Sequence, residues 1–202
     1  DGFNSELTSI SVKLDTSNDL YILLLNLSLD HYFKNFIHSG YDDLKLLLEQ
    51  ISIEPLTHQD LKKIGVKKVG DRLRIILKLE EANNSFDFTL PMNTFYNNNS
   101  FDLADPFSKQ LENWLLTLKM ETYLKNFINQ GIFSLDLLFI QSISTNPLTD
   151  EILEKEIKIE KVGYRARILN KIKQDTKLYL ERIKSQTTKF NKKEEDDSCK
   201  CL

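Results

Sequence analysis

Apolar positions recur along this chain at the spacing of a helix face. Leu29, Tyr32, Phe33, Phe36 and Ile37 fall at i, i+3, i+4, i+7 and i+8, and Met120, Tyr123, Leu124, Phe127 and Ile128 repeat the series. That period lays one apolar stripe along an amphipathic helix. Gly40 and Gly131 follow where each helix should stop, because Gly takes the left-handed cap conformation at little cost. "PLTHQD" (55–60) reads as a helix start, with Thr57 as cap, Asp60 completing a capping box and Leu56 stapling against Leu61. In "PLTDEI" (147–152) Thr149 and the Leu148/Leu153 staple persist, while Ile152 replaces the box acid. A last helix opens at "VGDRLRIIL" (69–77), with Leu73, Ile76 and Leu77 expected inward. It opens again at "VGYRARIL" (162–169), where Ile168, Leu169, Ile172, Thr176, Leu180 and Ile183 carry the stripe to about residue 183.

The two series belong to a duplication. "LLLNLSLDHYFKNFIHSG" (23–40) matches "WLLTLKMETYLKNFINQG" (114–131) without a gap, then "PLTHQDLKKI" matches "PLTDEILEKEI", and Val69-Gly70 matches Val162-Gly163. The offset grows from 91 to 92 to 93, so the second copy holds two single-residue insertions, which are expected in loops. The pattern predicts an all-α chain of two consecutive five-helix bundles. The first spans 17–83 and the second 107–184. Around them lie an N-terminal flank (1–16), an Asn-rich linker (84–106) and a disordered tail (185–202). Units this small bury only about 60% of their extended-chain surface, so modest stability is expected of each alone.

Each copy resembles a sterile alpha motif (SAM) domain. The resemblance rests on Trp114-Leu115, Leu118, Tyr123, Phe127, Gly131, Leu148-Thr149, Lys161, Gly163, Arg165 and Ile168-Leu169 in the second copy. In the first it rests on Tyr32, Phe36, Gly40, Leu56-Thr57, Asp60-Leu61, Ile64-Gly65-Val66, Lys68, Gly70, Arg72 and Ile76. Two departures stand out. Leu23 occupies a frequent Trp position, and Lys158 replaces the middle Gly, so the turn before the last helix of the second copy is expected to be reshaped.

The flanks carry their own signals. Residues 7–14, "LTSISVKL", alternate apolar and polar like an extended strand, and the linker holds Phe86, Phe88, Leu90, Phe95, Tyr96 and Phe101, too apolar for a free tether. Formal net charge is −3, which argues against a surface built throughout for nucleic acid. No apolar run approaches the ~18 residues of a membrane span. Cys199 and Cys201 are the only cysteines and cannot staple a core, so the body needs no oxidising compartment. A cytoplasmic location is expected. The final "CKCL" resembles a geranylgeranyl acceptor at Cys199, and membrane association is expected only through such a lipid, although Lys200 and Cys201 are not the usual aliphatic pair.

Catalytic chemistry finds little support: there is no phosphate-cradling Gly loop and no nucleophile elbow. His31 and His38, with Asp42 nearby, read as solvated helical residues rather than metal ligands, and no cofactor is implied. The charged faces say more. Lys67, Lys68, Arg72 and Arg74 gather at the start of one last helix, and Lys161, Arg165, Arg167 and Lys171 at the other. Acids gather elsewhere, at Asp42, Asp43 and Asp60 in the first copy and at Asp136, Asp150, Glu151 and Glu154 in the second. The resemblance implies head-to-tail association of these faces with other SAM domains, within the chain, between copies of it, or with other proteins. It also leaves an RNA-hairpin reading of the basic face, which the near-neutral first copy and its lack of a continuous basic stripe disfavour.

Overall fold

The computed structural model describes residues 18–83 and 106–198. Asn18 starts the fold by accepting the backbone N–H groups of Leu20 and Tyr21, which caps α1 (Asp19–Asn26). A 3₁₀ turn (Asp30–Tyr32) leads into α2 (Phe33–His38), followed by α3 (Leu44–Ile53), α4 (His58–Ile64) and α5 (Val69–Ala82). The second bundle repeats the order with α6 (Pro106–Thr117), a 3₁₀ turn (Glu121–Tyr123), α7 (Leu124–Asn129), α8 (Leu135–Gln141), α9 (Asp150–Lys155) and α10 (Val162–Ser198). No strand occurs among the described residues. The region read as a strand (7–14), the linker aromatics and Cys199 lie outside them.

The cores follow the stripes. Leu24, Leu27, Phe36, Leu61 and Val66 are fully buried in the first bundle, as are Leu115, Met120, Phe127, Leu138, Leu153 and Ile168 in the second. Each such side chain removed from water stabilises the fold by about 1.5–3 kcal/mol. Thr57 and Asp60 form the capping box, and Thr149 caps α9 through Ile152 N–H alone. Several ties are duplicated with the fold. Asn35 Nδ2 donates to the carbonyl of Ile64 at 3.1 Å, and Asn126 Nδ2 to that of Ile157 at 2.9 Å. Ser28 and Lys119, at matched positions, both take left-handed φ, at 56° and 58°.

One feature differs from the sequence expectation. The last helix continues to Ser198 rather than ending near 183, so residues 185–198 are helical. No Gly or Pro interrupts 164–198, and low hydrophobicity alone does not end a helix. The turn at Lys158 keeps its left-handed residue, at φ 63° where Gly65 has 106°. The turn is reshaped, as expected, by widening one residue: Val66 N–H bonds back to Leu61, whereas Ile159 N–H bonds back to Leu153. The extra residue is Glu156, in the turn that follows α9 (Asp150–Lys155), so this insertion lies in a loop, as expected. The first copy's Lys63-Ile64 becomes Lys155-Glu156-Ile157.

Candidate functional site

The two bundles pack together, and α5 lies between its own bundle and α8. Its burial records this. Val69 through Leu77, then Leu79 and Glu80, are buried, so α5 is covered on every side. Its counterpart α10 buries Arg165, Ile168, Ile172 and Thr176, one face only. The positions matching Leu73, Leu77 and Glu80 are Ala166, Asn170 and Lys173, all exposed. Leu73 and Leu77 therefore lie on a second stripe. Glu80, on the same stripe, accepts the backbone N–H of Thr145 at 2.9 Å and also its hydroxyl.

At the start of α5 the backbones of the two copies meet. Gly70 N–H donates to the carbonyl of Gln130 at 2.7 Å, and Val69 N–H to Gln130 Oε1 at 3.4 Å. A Cβ on Gly70 would stand 2.0 Å from the carbonyl oxygen of Gly131, so only glycine permits this approach. A Cβ on the matching Gly163 would meet nothing within 4 Å, and none would be met at Gly40, which matches Gly131. Val69 is fully buried, whereas Val162 is 67% exposed. The first copy's last helix thus starts against Gln130 and Gly131 of the second copy, while the matched Gly163 and Gly40 stand open.

Arg72 anchors the contact. Its Nη1 donates to the carbonyls of Val66 (3.0 Å) and Lys67 (2.8 Å) within its own bundle. Its Nη2 donates to Glu156 of the second bundle at 2.6 Å, and Lys62 approaches the same carboxylate at 3.6 Å. Arg72 Nε donates to His58 Nδ1 at 3.4 Å, which leaves the proton on Nε2 to bond the Asn146 carbonyl at 3.2 Å. Burial, and then the Arg72 charge, push His58 down to about 4, so the ring is neutral near pH 7. Asn146 Nδ2 completes the seam by donating to the Leu56 carbonyl at 3.1 Å.

The residues named from sequence are distributed as follows. Lys67 and Lys68 are exposed, while Arg72 and Arg74 are buried. Arg74 bonds Asp71 at 2.6 Å, and Asp71 accepts the Tyr32 hydroxyl at 2.8 Å. In the second copy Lys161 is exposed, and Lys171 pairs with Asp175 at 2.9 Å. Arg167 donates to the Leu118 carbonyl at 3.2 Å and, with Lys161, flanks the ring of Tyr164. Arg165 turns inward to the carbonyls of Ile159 and Glu160, and to Asp150 and Glu154. Asp43 caps α3, Asp42 is exposed beside it and Asp60 serves the capping box. Glu151 pairs with Lys155 at the surface. Asp136 is bonded by Tyr179, and burial pushes its carboxyl up. The acid that receives Arg72 is Glu156, which the sequence reading passed over. The available signal was the insertion itself, since Glu156 is the residue added to the second copy.

Among the described residues, no three His, Cys, Asp or Glu side chains converge to hold a metal ion, and no helix is long and apolar enough to cross a membrane. The arrangement is that of a paired helical interaction module, with a backbone-close, charge-locked contact between two like domains. The family comparison agrees: models described as SAM domain (sterile alpha motif) match residues 15–82 and 108–174, and the chain belongs to the SAM family as a tandem pair. Comparisons with curated proteins and with solved structures return no significant match. SAM domains are generally non-catalytic protein–protein interaction modules.

Proposed function

We propose that the chain is a scaffold for assembly or signalling that works by head-to-tail SAM contacts, one closed within the chain and one offered outward. The observation that carries the reading is the pair of matched glycines, Gly70 packed on Gly131 while Gly163 and Gly40 stand open. The outward helix start offers the exposed Val162 and Gly163 beside Lys158 and Lys161. The outward receiving surface offers Leu46 and Ile53, 61% and 87% exposed, rimmed by Asp42, Asp43, Glu49 and Glu54. The two are complementary in charge and both have an apolar centre, so partners are SAM domains of other molecules, a second copy of this chain included. Such complementarity sets specificity and encounter rate more than affinity. A contact of this kind that does not close on itself builds rings or filaments.

Sedimentation velocity over a concentration series, with pull-down of candidate SAM domains, tests the reading. Val162→Asp and the double variant Asp42→Lys/Asp43→Lys should each reduce association while leaving the arrangement of the two bundles unchanged. Unaltered association in both would overturn it.

A further inference from the structure

Arg72 and Arg165 occupy matched positions and make the same two backbone bonds, yet their remaining charge is met differently. Beside Arg72, α4 presents His58 and Lys62, a neutral acceptor and a like charge. Neither neutralises the guanidinium, which is completed from outside by Glu156. At the same positions beside Arg165, α9 presents Asp150 and Glu154, which hold Arg165 at 2.8 and 3.3 Å. Glu156 is the inserted residue and has no counterpart in the first copy.

From these positions we infer a pairing code: Asp150 and Glu154 mask Arg165, so that the Glu156 socket accepts the first copy's helix start and rejects the second's. The inference rests on the contact between bundles proposed above, and its subject is the choice of partner. Without the mask, Arg165 of one molecule would compete for Glu156 of another, and second copies would chain together in the open-ended way of heterologous contacts. The mask therefore fixes the order of pairing between like domains that share most of their fold.

The test uses the full chain. Gly70→Ala opens the internal contact while leaving Arg72, its backbone bonds and Glu156 in place. This single variant should associate no more strongly than wild type, because its vacant socket meets only masked Arg165. Adding Asp150→His and Glu154→Lys, the residues of the first copy, should strengthen self-association at least tenfold, and adding Arg165→Glu to that triple variant should remove the gain. The milder Asp150→Asn/Glu154→Gln pair in the Gly70→Ala background should move association in the same direction, and circular-dichroism melting identifies the folded variants. The code is overturned if Gly70→Ala alone associates as strongly as the triple variant, or if the folded unmasked variants associate no more than Gly70→Ala. If Gly70→Ala does not separate labels placed on the two bundles, the internal contact itself fails, and the code with it.

Discussion

Lys158 holds φ 63° at a position where the first copy uses Gly65. An L-residue there strains against its own carbonyl at a cost of roughly 1–2 kcal/mol. Lys158→Gly should relieve the strain, less the larger backbone entropy that Gly loses on folding. The expected outcome is a second bundle more stable by about 1 kcal/mol, seen as a melting midpoint raised by a few degrees. His58 gives a pH signature. Its pKa is lowered in the folded contact, so the neutral form is favoured, and its contribution is fully present above its ordinary value of 6.5. It is lost as pH falls from 6.5 toward about 4, a difference of up to about 3 kcal/mol. The distance between the bundles, followed across that range, should open on acidification in wild type and respond far less in His58→Gln. The duplicated arginines were legible in the sequence as a basic cluster. That their guanidinium groups turn back to tie carbonyls of their own bundle was not, because charge counting does not say which way a long side chain folds.

At the scale of elements, α5 and α10 begin with the same residues and diverge in what covers them. Leu73 and Leu77 read from sequence as one face of a bundle core, since periodicity reports that a stripe is buried and not what buries it. Comparison of the copies resolves them, because Ala166 and Asn170 fill the matched positions and are exposed. Leu77→Asn, which gives α5 the residue of α10, should loosen the pair by a few kcal/mol, on the scale of a buried Leu truncation. Labels on the two bundles should then report a longer, broader distance while helical content is retained. Capping signals were the most legible part of the chain: Thr57, Asp60, Thr149, Gly40 and Gly131 sit at the helix boundaries that they predicted. The far end of α10 was not, since nothing in a polar stretch without Gly or Pro marks where its last turn lies.

Across the whole molecule, the insertions that distinguish the copies fall beside the contact that joins them. One adds Glu156, and the other lies in the stretch that leads to Thr145 and Asn146. The repeat was therefore readable as two SAM-like units, while the surface that holds them together was written in their differences. The acids singled out from composition, Asp150 and Glu154, keep to their own bundle. The central claim is that the first copy's helix start is seated on the second copy and that the second copy's helix start is free. Twin substitutions test it most directly, in a full chain whose Cys199 and Cys201 are replaced by Ser and whose exposed Lys34 and Lys177 carry paired spin labels. Gly70→Ala forces a Cβ to within 2.0 Å of the Gly131 carbonyl, and Gly163→Ala adds the same atom in open space. The account predicts that the inter-label distance lengthens and broadens in Gly70→Ala and stays at the wild-type value in Gly163→Ala. Equal distances in all three proteins, or equal displacement by both substitutions, would contradict it.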